Sequence, residues 1–258
     1  MSSENAWMLG LLFISTMKVT AIGDVHGMND WKKIVQKESD SDKFVFIGDY
    51  FDSFDISADE QIENFKEIRK FYHDNQDRVI LLVGNHDFHY MGTTRDRCNG
   101  YEMFHAYMIK RLVNEPGILR ASYAQDGVLY THAGFSPMWA MMNDIPYGRS
   151  AEWFATAIND KYNNDPSAFV RVSNGKTLFG SPFWIRPSYL IDSLAEFPLV
   201  QPIKQVFGHT MTKAGVIRHS ENLYCIDCIK REYVVVNNGE IEIKSRSTSD
   251  ERTYGNND

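Results

Sequence analysis

The chain has 258 residues, 43% hydrophobic, 24% charged and 13% aromatic, which excludes a disordered, collagenous or low-complexity protein and allows a sizeable core. A formal net charge of −7 argues against broad binding to a duplex nucleic-acid backbone, where a basic face is needed. A small anionic substrate stays open, because a local metal or arginine cluster can invert the field around it.

The apolar run Ala6–Ile14 is far short of the ~20 residues of a membrane span. No basic residue stands in Met1–Leu12, as a signal peptide would require. Residues 1–16 therefore read as a tag or an upstream-start extension, and no membrane association is expected. Short apolar runs at Val19–Gly23, Phe44–Gly48 and Val79–Val83 predict strands. Between them, Asp30–Lys37 carries helical spacing through Trp31, Ile34 and Val35, and Ile62–Tyr72 through Ile62, Phe65, Ile68 and Phe71. A helical stretch follows at Tyr101–Val113.

A further strand is expected at Gly127–His132, then a mixed region rich in Pro and Trp over 137–202. Successive strands follow at Gln205–Gly208, Ala214–Arg218, Leu223–Ile229, Tyr233–Val236 and Glu240–Lys244. Asn237-Asn238-Gly239 is a strong hairpin turn between the last two. Neither repeats nor linkers interrupt the chain. The expectation is one α/β (α+β) domain over 17–245, with two sheets and flanking helices, and a polar mobile tail over 246–258.

Chemistry gathers where the strands end. The first run ends in Gly23-Asp24-Val25-His26-Gly27, the second in Gly48-Asp49-Tyr50-Phe51-Asp52, and the third in Gly84-Asn85-His86-Asp87. Open α/β sheets place ligands at the carboxyl ends of their strands, so these clusters should converge. Asp24 and His26 stand two apart and project to the same side of an extended chain. One carboxylate with one imidazole suits Mn, Fe or Zn better than Ca or Mg. Asn85 and His86 are adjacent and should face different ways, one toward a metal and the other toward substrate. Two further histidines close apolar runs, in Thr131-His132-Ala133-Gly134 and Gly208-His209-Thr210. Five such clusters are hard to explain without a metal, because convergent buried charge is costly.

Other residues have plainer readings. His73, His89, His105 and His219 are expected to be ordinary solvated or capping histidines. Cys225-Ile-Asp-Cys228 lacks a second pair to complete a zinc site, so these read as buried thiols. With Cys98 they make an odd count of three, which fits a reducing, cytoplasmic setting. Met138, Trp139, Met141, Met142 and Trp153–Phe154 have the spacing of core packing, with a lip over the site as the alternative.

The ordered set GDVHG, GDYFD, GNHD, THAG and GHT resembles the five motifs of the calcineurin-like metallophosphoesterases, over about Lys18 to Ile229. A narrower likeness is to the phosphoprotein phosphatases of bacterial and phage type. His132-Ala-Gly-Phe-Ser-Pro137 is similar to their HGGLSP segment, Trp184-Ile-Arg186-Pro187 to W-x-R-P, and Ile226-Asp227 to a late I-D strand.

The resemblance implies a two-sheet sandwich between helix layers, and two divalent metal ions, with manganese expected and iron or zinc as alternatives. Asp24 and His26 would hold the first metal, Asp49 would bridge, and Asn85, His132 and His209 would complete the second. His86 would sit over the leaving-group oxygen, oriented by Asp52, and Arg186 would grip phosphate oxygens. The chain departs from the pattern twice: Ser53 stands where the family has an arginine, and Asp87 where it has a glutamate. Arg95 or Arg97 could stand in for the missing arginine, although each also reads as a solvated surface residue.

The function expected is hydrolysis of phosphomonoesters by metal-activated hydroxide attack, as in a serine/threonine-type protein phosphatase acting on a phosphorylated protein or small phosphoester. The rivals are a symmetrical dinucleoside polyphosphate (diadenosine tetraphosphate) or other nucleotide hydrolase, and a catalytically silent metal-bound binding module. No oligomeric state is implied.

Overall fold

A computed structural model of the chain describes residues 17–146, 150–199 and 201–246. The predicted extension over 1–16 lies outside the described residues, as does the tail beyond Arg246. The three N-terminal apolar runs form β1 (Lys18–Ile22), β2 (Lys43–Phe46) and β3 (Val79–Leu82), paired in parallel in that order. Parallel neighbours need crossovers. These are α1 (Asp30–Lys37) and α2 (Ala58–Asp74). Helix α2 starts four residues before its apolar spacing because Ser57 and Glu60 form a capping box.

After β3 come the one-turn helix α3 (Asn85–Phe88), α4 (Ala106–Val113) and the short β4 (Leu119–Arg120), which extends the same sheet. Strands β5 (Ser122–Gln125) and β6 (Val128–Thr131) begin the second sheet. Three helices follow, α5 (Pro137–Met142), α6 (Ala151–Asn164) and α7 (Pro187–Glu196). The chain then forms β7 (Lys204–Phe207), β8 (Ile217–Ser220), β9 (Leu223–Cys225), β10 (Glu232–Asn237) and β11 (Glu240–Ser245). The first sheet runs β11-β10-β1-β2-β3-β4 and the second β5-β6-β7-β9-β8. Asn238 and Gly239, at φ 48° and 75°, make the two-residue hairpin turn between β10 and β11.

Val45, Leu82 and Val234 of the first sheet meet Tyr130, Val206 and Tyr224 of the second in a buried seam. Helices α1, α2 and α4 cover the outer face of the first sheet through Trp31, Ile34, Phe65 and Ile109. Phe135, Trp139, Phe154 and Phe183 pack the α5–α6 region beside the second sheet, and Leu190 of α7 packs with Phe207 and Leu223. The architecture is the expected sandwich of two sheets between helices. No helix among the described residues is long and apolar enough to cross a membrane.

Several expectations are corrected. Among the described residues the mixed region holds three α-helices and two short 3-10 turns, and the helix expected from Tyr101 begins only at Ala106. Strand β8 lies three residues beyond the predicted start because Gly215, at φ 123°, turns the chain and Val216 N–H binds the Glu232 carboxylate at 2.8 Å. The strand expected over Leu223–Ile229 ends at Cys225, since Ile226–Cys228 bends away toward the strand ends. Strands β4 and β5 carry no apolar run of their own, being short and only partly buried.

Glu38, just beyond α1, ties the first sheet to its helix layer. Its buried carboxylate accepts from Tyr233 Oη at 2.6 Å and lies 2.9 Å from Lys18 Nζ. Burial pushes this carboxyl up, but the Tyr233 hydroxyl and Lys18 outweigh it and hold the value below the usual 4.5. Its stabilisation is therefore present above about pH 4.5 and lost as pH falls through the folded value. Glu38→Gln is expected to cost about 1 kcal/mol at neutral pH. Urea titrations should show that gap closing in acid; a pH-independent gap would rule out the charged contact.

Candidate metal centre and active site

The carboxyl ends of β1, β2 and β3 meet those of β6 and β7 along one edge of the sandwich. Strand β1 delivers Asp24 and His26, β2 delivers Asp49 and Asp52, and β3 delivers Asn85 and His86. Strands β6 and β7 deliver His132 and His209. Every predicted metal-site residue is thus brought to one place. Two glycines permit the convergence: a Cβ on Gly84 would lie 2.0 Å from Asp49 Oδ1, and one on Gly208 would lie 1.8 Å from Asp24 Oδ1. His26, Asp49, Asp52 and His209 all have left-handed backbone, at φ 42°, 51°, 65° and 66°. Such strain concentrates at functional sites, where the surroundings over-determine it.

The ring nitrogens are ordered by the backbone. His26 Nδ1 lies 2.6 Å from Phe51 O and His132 Nδ1 3.0 Å from Ile47 O, so each must donate there. Their Nε2 lone pairs then face Asp49 Oδ2, at 3.7 Å and 3.4 Å. Asn85 Oδ1 lies 2.9 Å from His132 Nε2 and 2.7 Å from His209 Nδ1, and those two nitrogens are 3.3 Å apart. Asp24 accepts from His209 N–H at 2.9 Å. Two donor groups result, Asp24–His26–Asp49 and Asp49–His132–His209, each with ligand atoms within 4.8 Å of one another and with Asp49 common to both.

These residues fit two divalent cations. Burial, with Asp227 and Asp49 nearby, pushes the Asp24 carboxyl well above its usual range, and burial with Asp49 pushes Asp227 up to about 7. Burial also works against charge on Asp49, but the His132 and His86 imidazoles outweigh it and hold Asp49 well below the usual value. His209 Nε2 is buried without a hydrogen-bond partner. Around Asn85 Oδ1 the acceptor atoms outnumber the protons available, and a cation would satisfy all of them at once. The mixed carboxylate, imidazole and amide set suits Mn, Fe and Zn.

Beside this centre, His86 Nδ1 lies 2.7 Å from Asp52 Oδ2, the pairing that the resemblance implies. Burial lowers the His86 value, but Asp49 and Asp52 outweigh it and hold the imidazole above its ordinary value. Asp52 is itself fully enclosed: Tyr90 Oη donates to its Oδ1 at 2.5 Å, and His89 Nε2 stands 2.9 Å from Oδ2. His89 is therefore not the solvated residue expected from the sequence. It is buried, and its Nδ1 accepts from Cys98 N–H at 2.9 Å. Its place three residues after His86 puts both rings on one side of the α3 turn, a relation that becomes visible only once that turn is known.

Asp87, the departure from the family's glutamate, is buried and binds three backbone N–H groups, those of Gly84 and Asp49 at 2.8 Å and Tyr50 at 2.9 Å. Burial and the neighbouring Asp49 push its carboxyl up to about 8, against those donors. It pins the β2 and β3 ends together. Ser53, the other departure, turns its loop by accepting from the Asp55 and Ile56 N–H groups at 3.3 Å and 3.2 Å.

The centre opens into a cavity of about 590 Å³ that includes His86, Arg186 and Ser53 in its lining. Arg186 donates to His209 O at 2.9 Å and to Thr210 Oγ1 at 3.2 Å. Neither Arg95 nor Arg97 lines the cavity; the Arg97 guanidinium lies over Tyr101 instead, 4.5 Å from the ring centre. The lip reading of the Met–Trp segment also fails. Met138, Trp139 and Phe154 are core, and Met141 and Met142 are exposed elsewhere. Cys225 and Cys228 are buried free thiols, as expected, and Cys98 is buried and free as well. Gly208→Ala should displace Asp24 and lower turnover about 100-fold, the scale of a 1 Å misplacement. Loss confined to stability, with full metal content and turnover, would contradict the close approach.

A family model described as calcineurin-like phosphoesterase matches residues 17–213. The structure is similar to a cold-active protein-tyrosine phosphatase from a psychrophilic Shewanella sp., with 19% identity, a TM-score of 0.58, and coverage of 89% of this chain and 78% of that one. It is also similar to a protein serine/threonine phosphatase from Saccharomyces cerevisiae, with 15% identity, a TM-score of 0.51, and coverage of 90% and 81%. At these identities the likeness is one of fold. No curated protein matches by sequence.

Proposed function

The chain belongs to the calcineurin-like phosphoesterases, hydrolases that use divalent metals, and from that membership we propose that it is a phosphomonoesterase acting on phosphoserine or phosphothreonine in proteins. The observation that carries this reading is one shared carboxylate, Asp49, joining two donor groups beside the His86–Asp52 pair and Arg186 in a single cavity. We take residues 17–245 as the catalytic unit and the cytoplasm as its setting, in keeping with three free buried thiols.

Asp24, His26 and Asp49 would hold one ion, and Asp49, Asn85, His132 and His209 the other, with manganese proposed and iron or zinc as alternatives. Bound there, the ions supply positive charge to the phosphoryl oxygens and make water a stronger nucleophile. Arg186 offers a planar fork to two phosphate oxygens, and its position is fixed by His209 O and Thr210. His86 gives the proton of its Nε2 to the departing oxygen. Asp52 holds Nδ1–H and keeps the ring charged until that transfer. Tyr90 and His89 in turn hold Asp52.

A protein substrate is supported by the open cavity, which is wider than one phosphate needs, and by the fold shared with two protein phosphatases. Elemental analysis should be paired with a substrate panel on one preparation: phosphoserine, phosphothreonine and phosphotyrosine peptides, p-nitrophenyl phosphate and diadenosine tetraphosphate. Bound metal with phosphate released fastest from the serine and threonine peptides is expected. Faster nucleotide release would overturn the substrate, and metal content without any turnover would make the protein a binding module.

A further inference from the structure

The cavity has two unlike walls. One is the loop after β2, where Phe54, 80% exposed, stands with Met28, Ile56 and the acidic Asp55. The other is formed by two segments leaving the centre side by side, one from His209 to Lys213 and one from Asp227 to Arg231. They are tied together by Thr212 N–H donating to Asp227 O at 3.0 Å. Three exposed cations line this second wall, Lys213, Lys230 and Arg231. Lysines such as Lys18, Lys32 and Lys204 are paired with carboxylates. Among the described residues no carboxylate pairs with these three.

A chain of net charge −7 has thus set three unpaired cations together beside its phosphate site. The distance is suited to a peptide. Lys213 follows His209 by four residues, so its backbone lies within about 14 Å of that residue, and an extended substrate puts a side chain two or three positions away at about 7–10 Å. Among the described residues Phe54 is the one aromatic side chain other than histidine in the lining, which gives no paired rings to sandwich a nucleobase.

Building on the protein-phosphatase reading, we propose that the Lys213–Lys230–Arg231 wall is a subsite for carboxylate side chains, so that the enzyme prefers phosphoprotein segments with acidic residues flanking the phosphorylated serine or threonine. Asp55 on the opposite wall repels the same side chains and so fixes which way the segment lies. Each contact is a solvent-exposed ion pair, individually weak and screened by salt.

The test uses the full chain with Mn²⁺ and matched phosphothreonine peptides carrying glutamate or glutamine on either side. At low salt, kcat/KM for an acid-flanked peptide should exceed that of its neutral partner about fivefold, falling toward equality near 1 M salt, where the Debye length is about 3 Å. A Lys230→Glu/Arg231→Glu variant should bring the ratio to one or below; the wild-type salt dependence is an independent reading should that variant fold poorly. Equal rates for both peptides in the wild type, or a ratio indifferent to salt, would overturn the subsite alone. Cleavage of p-nitrophenyl phosphate or diadenosine tetraphosphate with neither peptide cleaved would overturn the peptide reading and the subsite with it.

Discussion

Asp49→Asn is expected to abolish metal retention and reduce turnover about 10³-fold or more. The carboxylate of Asp49 is the one group common to both donor clusters, with Oδ2 facing His26 Nε2 and His132 Nε2. An amide offers one neutral oxygen where a bridge between two cations needs an anion, so both clusters lose their shared ligand together. Metal charge at a phosphoryl group contributes several kcal/mol to the barrier, and each 1.36 kcal/mol is tenfold in rate. A second readout separates metal loss from unfolding. Anything bound only by the folded state raises its stability, so a chelator should lower the melting temperature of the wild type and leave the variant unchanged. Retention of both metals by the variant would remove Asp49 from its bridging role.

His86→Ala should behave in the opposite way, keeping its metal and losing chemistry. The side chain hydrogen-bonds Asp52 and packs edge-on against the His26 ring, but it belongs to neither donor group, so both groups keep their ligand atoms when it is removed. General acid catalysis contributes typically 10²–10⁴-fold, and that loss is expected on a phosphoserine peptide, whose alkoxide is a poor leaving group without a proton. On p-nitrophenyl phosphate the loss should be much smaller, because p-nitrophenolate departs without protonation. Asp52→Asn, which keeps the shape but removes the charge that sustains the imidazolium, should fall between the wild type and His86→Ala. An equal loss on both substrates would mean that His86 binds phosphate and does not supply the proton.

The positions of these residues were legible because β1, β2, β3, β6 and β7 are short apolar runs whose first polar residues come just after a turn. Burial of both sheet faces at the seam forces that pattern. Asp24, His26, Asp49, Asn85, His86, His132 and His209 could therefore be read off as strand-end residues before any contact was known. His89 could not, since the residue that gives it meaning, Asp52, lies 37 positions earlier and the helical phase of a one-turn segment is unreadable. Asp227 drew notice only through its resemblance to the late I-D strand. Its charge becomes significant once burial places it beside Asp24 and Asp49. In the region 137–202, α5 and α7 were hidden because Pro at their first turn reads as a breaker, although at that position it favours a helix start. The cationic wall was invisible for another reason. Lys213 and Lys230 are separated by a strand pair, and the Thr212–Asp227 hydrogen bond brings their segments together.

The contact between His209 N–H and Asp24 spans 185 residues of sequence and crosses from one sheet to the other. An ion held by Asp49 from the first sheet and by His132 and His209 from the second would likewise act as a cross-link closing a very long loop, and its site would form only when the two sheets have docked. Affinity for metal is then a gauge of docking. Substitutions deep in the seam, at Tyr130 or Val206 for example, touch no ligand, yet they should show first as faster metal loss, before any change in helix content. Chelation of the full chain should then raise its rate of proteolysis as well as stop turnover, and equal proteolysis with and without chelator would contradict the cross-link.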